Sequence, residues 1–196
     1  MQLLFATNNQ GKLSEAQGIL PQFKIVSLKE IGCNEDIPET HETIDENSAE
    51  KANYLYSHYN VDCFSDDTGL EVAALNNAPG VYSARYAGPQ KNNDDNMALL
   101  LKNLEGKSNR SAHFRTVISL IINGKMHQFE GILSGTIITE KRGTHGFGYD
   151  PIFVPDGYTQ TLAELSADEK NKISHRARAL HKMAEFLKKS NGILAN

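Results

Sequence analysis

Residues Ser65-Asp66-Asp67-Thr68-Gly69-Leu70 place two adjacent carboxylates, a hydroxyl and a glycine directly after an apolar run. Neighbouring acids at the end of a buried strand repel each other and are costly to desolvate, so they call for a positive partner. A hard divalent cation with oxygen ligands is a good candidate. The plainer alternative is a solvated acidic turn. Four other segments bear on the choice. Thr7-Asn8-Asn9-Gln10-Gly11-Lys12 reads as a polar loop opening a helix. Free N–H groups and the positive dipole end at such a place suit a phosphate, and Lys12 adds charge. The spacing is not that of a P-loop. A second segment, Glu39-Thr40-His41-Glu42-Thr43-Ile44-Asp45-Glu46-Asn47, is acidic and followed by Lys51. It is either a solvated face or a further source of metal carboxylates, and spacing leaves open which acid would serve.

The remaining two segments suit the rest of a nucleotide. In Gly146-Phe147-Gly148-Tyr149-Asp150 glycines flank an aromatic ring, so the backbone can approach a ligand while Phe147 offers a flat face for stacking. In Lys170-Asn171-Lys172-Ile173-Ser174-His175-Arg176, Ser174 can cap a closing helix and put His175 and Arg176 in its first turn. Cations there oppose the helix dipole, a local misfit expected of residues kept for a ligand.

The elements that must position these residues follow from periodicity. Residues 3–6 read as a short buried strand, followed by a helix with Leu13, Ala16, Gln17 and Leu20 on one face, stopped by Pro21. Residues 24–28 read as a strand and 30–47 as irregular. A helix is expected over about 48–59, capped by Asn47 or Ser48. Strands follow at 61–65 and, separately, at 70–75. A loop spans 76–93, a helix 94–104. Two β-rich runs at 112–122 and 125–139 meet at Asn123-Gly124, the mark of a tight hairpin. A glycine-rich loop covers 141–151, and a helix at about 174–189 closes the chain. Strands alternating with helices and then a long hairpin predict one α/β domain, 1–196, on a mixed sheet.

Composition narrows the function. The chain has 196 residues, 39% hydrophobic and 22% charged, with a formal net charge of -4. That length can bury a core without staples. The charge gives no footprint for a nucleic-acid backbone, so no nucleic-acid partner is expected. Cys33 and Cys63 form no metal-type pair. The opening residues lack a signal-peptide pattern and no apolar run approaches membrane-spanning length, so a cytoplasmic protein without a membrane partner is expected.

Together these segments, with Pro79-Gly80-Val81-Tyr82-Ser83-Ala84-Arg85-Tyr86-Ala87-Gly88, resemble the inosine triphosphate pyrophosphatase family, in order from residue 7 to about 180. Two positions depart from the usual pattern: His41 follows Glu39-Thr40 and His145 precedes Gly146, where the family commonly has glycine. The resemblance implies an elongated mixed β-sheet flanked by helices, with two lobes and a central nucleotide cleft, as a homodimer. It implies a Mg²⁺-dependent cut of non-standard purine nucleoside triphosphates (ITP, dITP, XTP) between the α and β phosphates. By motif position it implies Asp67 as proton acceptor and metal ligand, and Glu39 as the second metal carboxylate. Thr7, Asn8, Asn9, Gln10, Gly11 and Lys12 would hold phosphates. Thr68, Phe147, Gly148, Tyr149, Asp150, Lys170, His175 and Arg176 would contact the nucleotide. The competing expectations are a pyrophosphatase for other modified nucleotides and a nucleotide-binding protein that has lost catalysis.

Overall fold

The computed structural model describes residues 2–193, with side chains through 190. Its strands form one mixed sheet. β1 (Gln2–Phe5) lies between β2 (Lys24–Val26) and β3 (Cys63–Val72), parallel to both, with Leu4 opposite Val26 and Cys63. β3 also pairs antiparallel with the two-residue β4 (Pro79–Gly80). β5 (Ser111–Ile122) and β6 (Lys125–Ile137) make the long hairpin, and β7 (Phe153–Pro155) runs antiparallel to β6. The order is β2-β1-β3-β5-β6-β7, with β4 beside β3.

The helices are α1 (Gln10–Ile19), α2 (Ile44–Tyr59), α3 (Asn93–Asn103), α4 (Ala167–Ile173) and α5 (His175–Ile193). The chain divides into two compact units. The first contains residues up to Asp67, Thr116–Gly131 and the chain from Arg176 on; the second contains Thr68–Arg115 and Ile132–His175.

In the first unit, strand alternation sends side chains to two separate cores. Leu3, Phe5, Phe64, Ile118 and Leu120 pack with Ala16 of α1, with its C-cap Leu20 and with Leu180, Met183 and Leu187 of α5. Leu4, Cys63 and Ile121, of the opposite parity, pack with Ala52 and Leu55 of α2. Burial pushes the Cys63 thiol up to about 12, so it serves as a small core residue. In the second unit, Met97, Leu100 and Leu104 cover Leu70, Val72, Phe114, Ile137 and Phe153.

Three expectations need correction. The strands at 61–65 and 70–75 are one: β3 runs through Gly69 to Val72, because Leu70 and Val72 bury in the second unit's core and hold the chain extended. The acidic pair therefore sits mid-strand, not at a strand end. Helix α2 begins at Ile44, not 48. Thr43 caps it: its hydroxyl oxygen accepts from the Glu46 amide at 3.2 Å and its hydroxyl donates to the Glu46 carboxylate at 2.8 Å, a reciprocal cap. Asn47 is thereby free for another task. The 76–93 and 141–151 loops contain short 3₁₀ turns at Ser83–Arg85 and Asp150–Ile152, and β7 and α4 follow, all too short to show periodicity. Asn123 and Gly124 both take positive φ, 50° and 73°, as a tight hairpin turn requires.

Candidate active site

Consecutive strand residues point to opposite faces, and β3 uses this to give Asp66 and Asp67 unlike surroundings. Asp66 is 3% exposed. Its Oδ1 accepts from Lys12 Nζ at 2.9 Å and its Oδ2 from Arg176 Nε at 3.0 Å. Lys12 stands in the first turn of α1 and Arg176 in the first turn of α5, so two helix starts converge on one carboxylate. Arg176 Nη1 also meets Glu15 Oε2, one turn along α1, at 3.3 Å. Burial opposes ionisation of Asp66, but Lys12, Arg176 and Lys51 outweigh it and hold the carboxyl well below the usual range.

Asp67 is compensated less. Its Oδ1 accepts from Lys51 Nζ at 3.2 Å; its Oδ2 is buried with no hydrogen-bond partner among the described residues. The same Lys51 Nζ donates to Glu39 Oε1 at 2.6 Å. One ammonium thus serves two carboxylates. Burial, with the charges of Glu39 and Asp66, pushes Asp67 up to about 6 against the pull of Lys51. Burial disfavours the charged form of Lys51 too, but Asp67 and Glu39 together raise its pKa.

Counting charges gives the chemistry. Asp66 and Glu15 face Lys12 and Arg176, a balanced set. Asp67 and Glu39 face Lys51 and keep one negative charge in excess. A buried oxygen without a partner, beside excess negative charge, suits a hard divalent cation. Among the described residues no three His, Cys, Asp or Glu side chains form a cage that would hold a metal by themselves. A Mg²⁺ ion commonly binds through one or two carboxylates and completes its shell with water and substrate phosphate. Asp67 and Glu39 are the residues that would hold it.

The loop before α1 is shaped by its own side chains. The Thr7 hydroxyl accepts from the Asn9 amide at 3.1 Å, and Asn9 caps α1 by accepting from the Lys12 amide at 3.1 Å. Asn8 Oδ1 accepts from the Lys29 amide at 2.8 Å. Thr7, Asn8 and Asn9 are therefore used in fixing the loop, while Gln10 and Gly11 form the exposed start of the helix and Lys12 is half-buried against Asp66.

The second unit holds the glycine-flanked aromatic. Phe147 is 66% exposed, and Lys170 Nζ lies 4.8 Å from its ring centroid. The Phe147 amide donates to Asp150 Oδ2 at 2.9 Å, and Lys170 forms an ion pair with the same carboxylate. Gly146 has φ +82°, and a Cβ there would collide with the Asp150 carboxylate, so glycine is required. Gly148 also takes positive φ, 61°. Tyr149 is buried and its hydroxyl donates to the Ser83 carbonyl at 2.9 Å; burial raises its phenol. Asp150 and Tyr149 thus brace the loop from below while Phe147 is presented outward. His175 stacks on Phe114, centroids 5.0 Å apart and 14° from parallel. Thr68 follows Asp67 on β3 and is half-buried.

The structure brings Lys12, Glu39, Asp66, Asp67 and Arg176 together in the first unit, and Phe147, Gly148, Tyr149, Asp150 and Lys170 in the second. Sequence reasoning missed Glu15, the ion-pair partner of Arg176, and the hydrogen bonds by which Glu50 holds Thr40 and Asn47 holds His41, the two residues after Glu39. Glu15 offered no signal, since it reads as an ordinary surface residue. Glu50 precedes Lys51 in a helix, and its contact with Thr40 reaches back ten residues, beyond the helix itself.

Comparison with known proteins identifies the family. Residues 3–186 match the Ham1 family. The chain is 56% identical over 189 residues to a dITP/XTP pyrophosphatase of Flavobacterium psychrophilum, covering 96% of this chain and 100% of that one. It is 52% identical to a protein of the same name from Porphyromonas gingivalis, covering 94% and 96%. The Staphylococcus aureus Ham1 protein superposes with a TM-score of 0.92 at 38% identity, covering 97% of this chain and 100% of that chain. The chain belongs to the Ham1 family.

Proposed function

We propose that this protein is a Mg²⁺-dependent nucleoside triphosphate pyrophosphatase that hydrolyses ITP, dITP and XTP to the nucleoside monophosphate and pyrophosphate. The relatives named dITP/XTP pyrophosphatase support the substrate class. The observation that carries the chemistry is the unequal treatment of the acid pair: Asp66 saturated by two cations, Asp67 left with a buried, unpartnered oxygen.

Water attacks the α-phosphorus in line, the bond from that phosphorus to the α–β bridging oxygen breaks, and pyrophosphate leaves with the electron pair. Such chemistry depends on positioning and charge neutralisation more than on covalent help. Asp67, whose carboxyl burial pushes up to about 6, orients the attacking water and accepts its proton. Lys12 and Lys51 offset the charge that grows on the leaving pyrophosphate. When bound by Asp67 and Glu39, Mg²⁺ would polarise the phosphoryl group and acidify a water. Phe147 stacks on the purine. Hypoxanthine and xanthine present an acceptor oxygen at position 6 where adenine presents an amine. Donors from backbone N–H groups and from His175 or Arg176 pair with the oxygen and oppose the amine, and sites built on such pairing discriminate by roughly 10⁴–10⁵.

The test is a triphosphate panel with Mg²⁺, reading monophosphate and pyrophosphate separately from free phosphate. ITP, dITP and XTP should release pyrophosphate while ATP turns over far more slowly; equal turnover of ATP and ITP would sink the base pocket. The reading includes a homodimer, which light scattering on the purified protein checks. Among the described residues no helix is long and apolar enough to cross a membrane; the reading places the enzyme in the cytoplasm.

A further inference from the structure

Helix α2 carries more than Lys51. Asn47, 1% exposed, meets the His41 backbone at two points: its Oδ1 accepts from the His41 amide at 2.9 Å and its Nδ2 donates to the His41 carbonyl at 3.2 Å. Glu50 holds the preceding residue: its Oε2 accepts from the Thr40 amide at 2.8 Å and its Oε1 from the Thr40 hydroxyl at 2.7 Å. The two residues that follow Glu39 are therefore tied to α2 by four hydrogen bonds. The helix is itself tied to β3. The Ser48 carbonyl accepts from the Ser65 hydroxyl at 2.5 Å, one residue before Asp66, and Ser48 Oγ donates to the Val117 carbonyl at 3.0 Å.

Glu39 sits in a stretch without helix or strand, between the 3₁₀ turn at Lys29–Ile31 and α2. Left alone, such a segment samples many conformations, and a cation would have to order it on binding. The two ends of a carboxamide can accept from and donate to one residue's backbone at once; an aspartate at 47 would lose the donated bond and set a charge against the His41 carbonyl. From this geometry we propose that Asn47 and Glu50 are positioning residues that preorganise Glu39 for a divalent cation. The inference rests on the reading of Glu39 and Asp67 as the metal carboxylates.

The test uses the full-length protein with Mn²⁺ as a paramagnetic stand-in, titrated in the presence of an α,β-imido analogue of dITP and read as loss of the free Mn²⁺ resonance. Asn47→Ala should weaken Mn²⁺ binding about tenfold, in the range typical of groups that orient metal ligands. Glu50→Gln, which keeps one acceptor oxygen, should shift it in the same direction by less. In a Glu39→Ala background, Asn47→Ala should add nothing. Unchanged Mn²⁺ affinity in both variants, with only a lowered melting temperature, would overturn the proposal, as would a full additional loss in the Glu39→Ala background. If Asn47→Ala does not fold, Glu50→Gln decides, since that side chain is 20% exposed and lies outside the core. Failure of the wild-type protein to bind Mn²⁺ would overturn the metal reading itself, and it is recognisable without any variant.

Discussion

The two units meet the same need, presenting a functional group in a defined place, by opposite means. In the first unit the machinery is charge, buried at Asp66 and reaching the surface at Glu39: Asp66, Lys12, Arg176 and Glu15 neutralise one another, and Lys51 spans Asp67 and Glu39. In the second unit the presented group is an exposed apolar ring, Phe147, and the charges Asp150 and Lys170 work beneath it as a brace. Where charge is the reagent, desolvation does the tuning, and the outcome depends on which partner each oxygen finds. Where a flat face is the reagent, tuning is steric, and glycines at 146 and 148 take backbone conformations that side chains resist. Substitutions in the first unit should therefore couple activity, stability and pH. Those in the second should split them.

The largest stability effect is expected at Asp66. Asp66→Asn leaves the half-buried Lys12 and Arg176 short of an anion and should cost about 3–5 kcal/mol, measured by denaturant unfolding. Its folded pKa is depressed, so the stability it contributes is present above the ordinary carboxylate range near 4 and is lost as pH falls below it. The deficit of the variant should accordingly shrink on acidification below about pH 4; a deficit constant with pH would show that packing, not charge, is lost. Next comes Phe147→Ala. Loss of a stacked purine should raise KM for dITP by an amount corresponding to about 1–3 kcal/mol while the melting temperature stays near that of the parent. A large drop in melting temperature instead would mean that the ring pins the loop. The smallest is Tyr149→Phe, which removes the bond to the Ser83 carbonyl and should cost about 1 kcal/mol of stability with little change in base selectivity.

Much of this comparison was legible before any coordinates. Lys12, the acid pair, Phe147 and Arg176 stand out because their residue types conflict with their local context. The hairpin at Asn123-Gly124, α3 and α5 follow from turn chemistry and periodicity. What could not be read has physical reasons. Gly69 looks like a strand terminator, yet Leu70 and Val72 hold β3 extended by burial, a tertiary effect. The reciprocal cap between Thr43 and Glu46 lies inside an acidic stretch that looks solvated. The division between Asp66 and Asp67 depends on which face of β3 receives α1 and α5 and which receives α2, and no local pattern encodes it.

That division is the central claim, and the single Asn variants of the two acids test it most directly, with pyrophosphate release from dITP and thermal unfolding measured on the same samples. Asp67→Asn should lose about 10²–10⁴-fold in kcat, the usual worth of a positioned general base. In Mg²⁺-free buffer it should unfold no more easily than the parent at pH 7. With its folded pKa raised to about 6, Asp67 costs the fold stability progressively as pH rises above the ordinary carboxylate value near 4, and in full above about 6, and an amide removes the cost. Asp66→Asn should show the large loss of stability. Near-normal turnover of Asp67→Asn, or equal loss of stability in the two variants, would contradict the account.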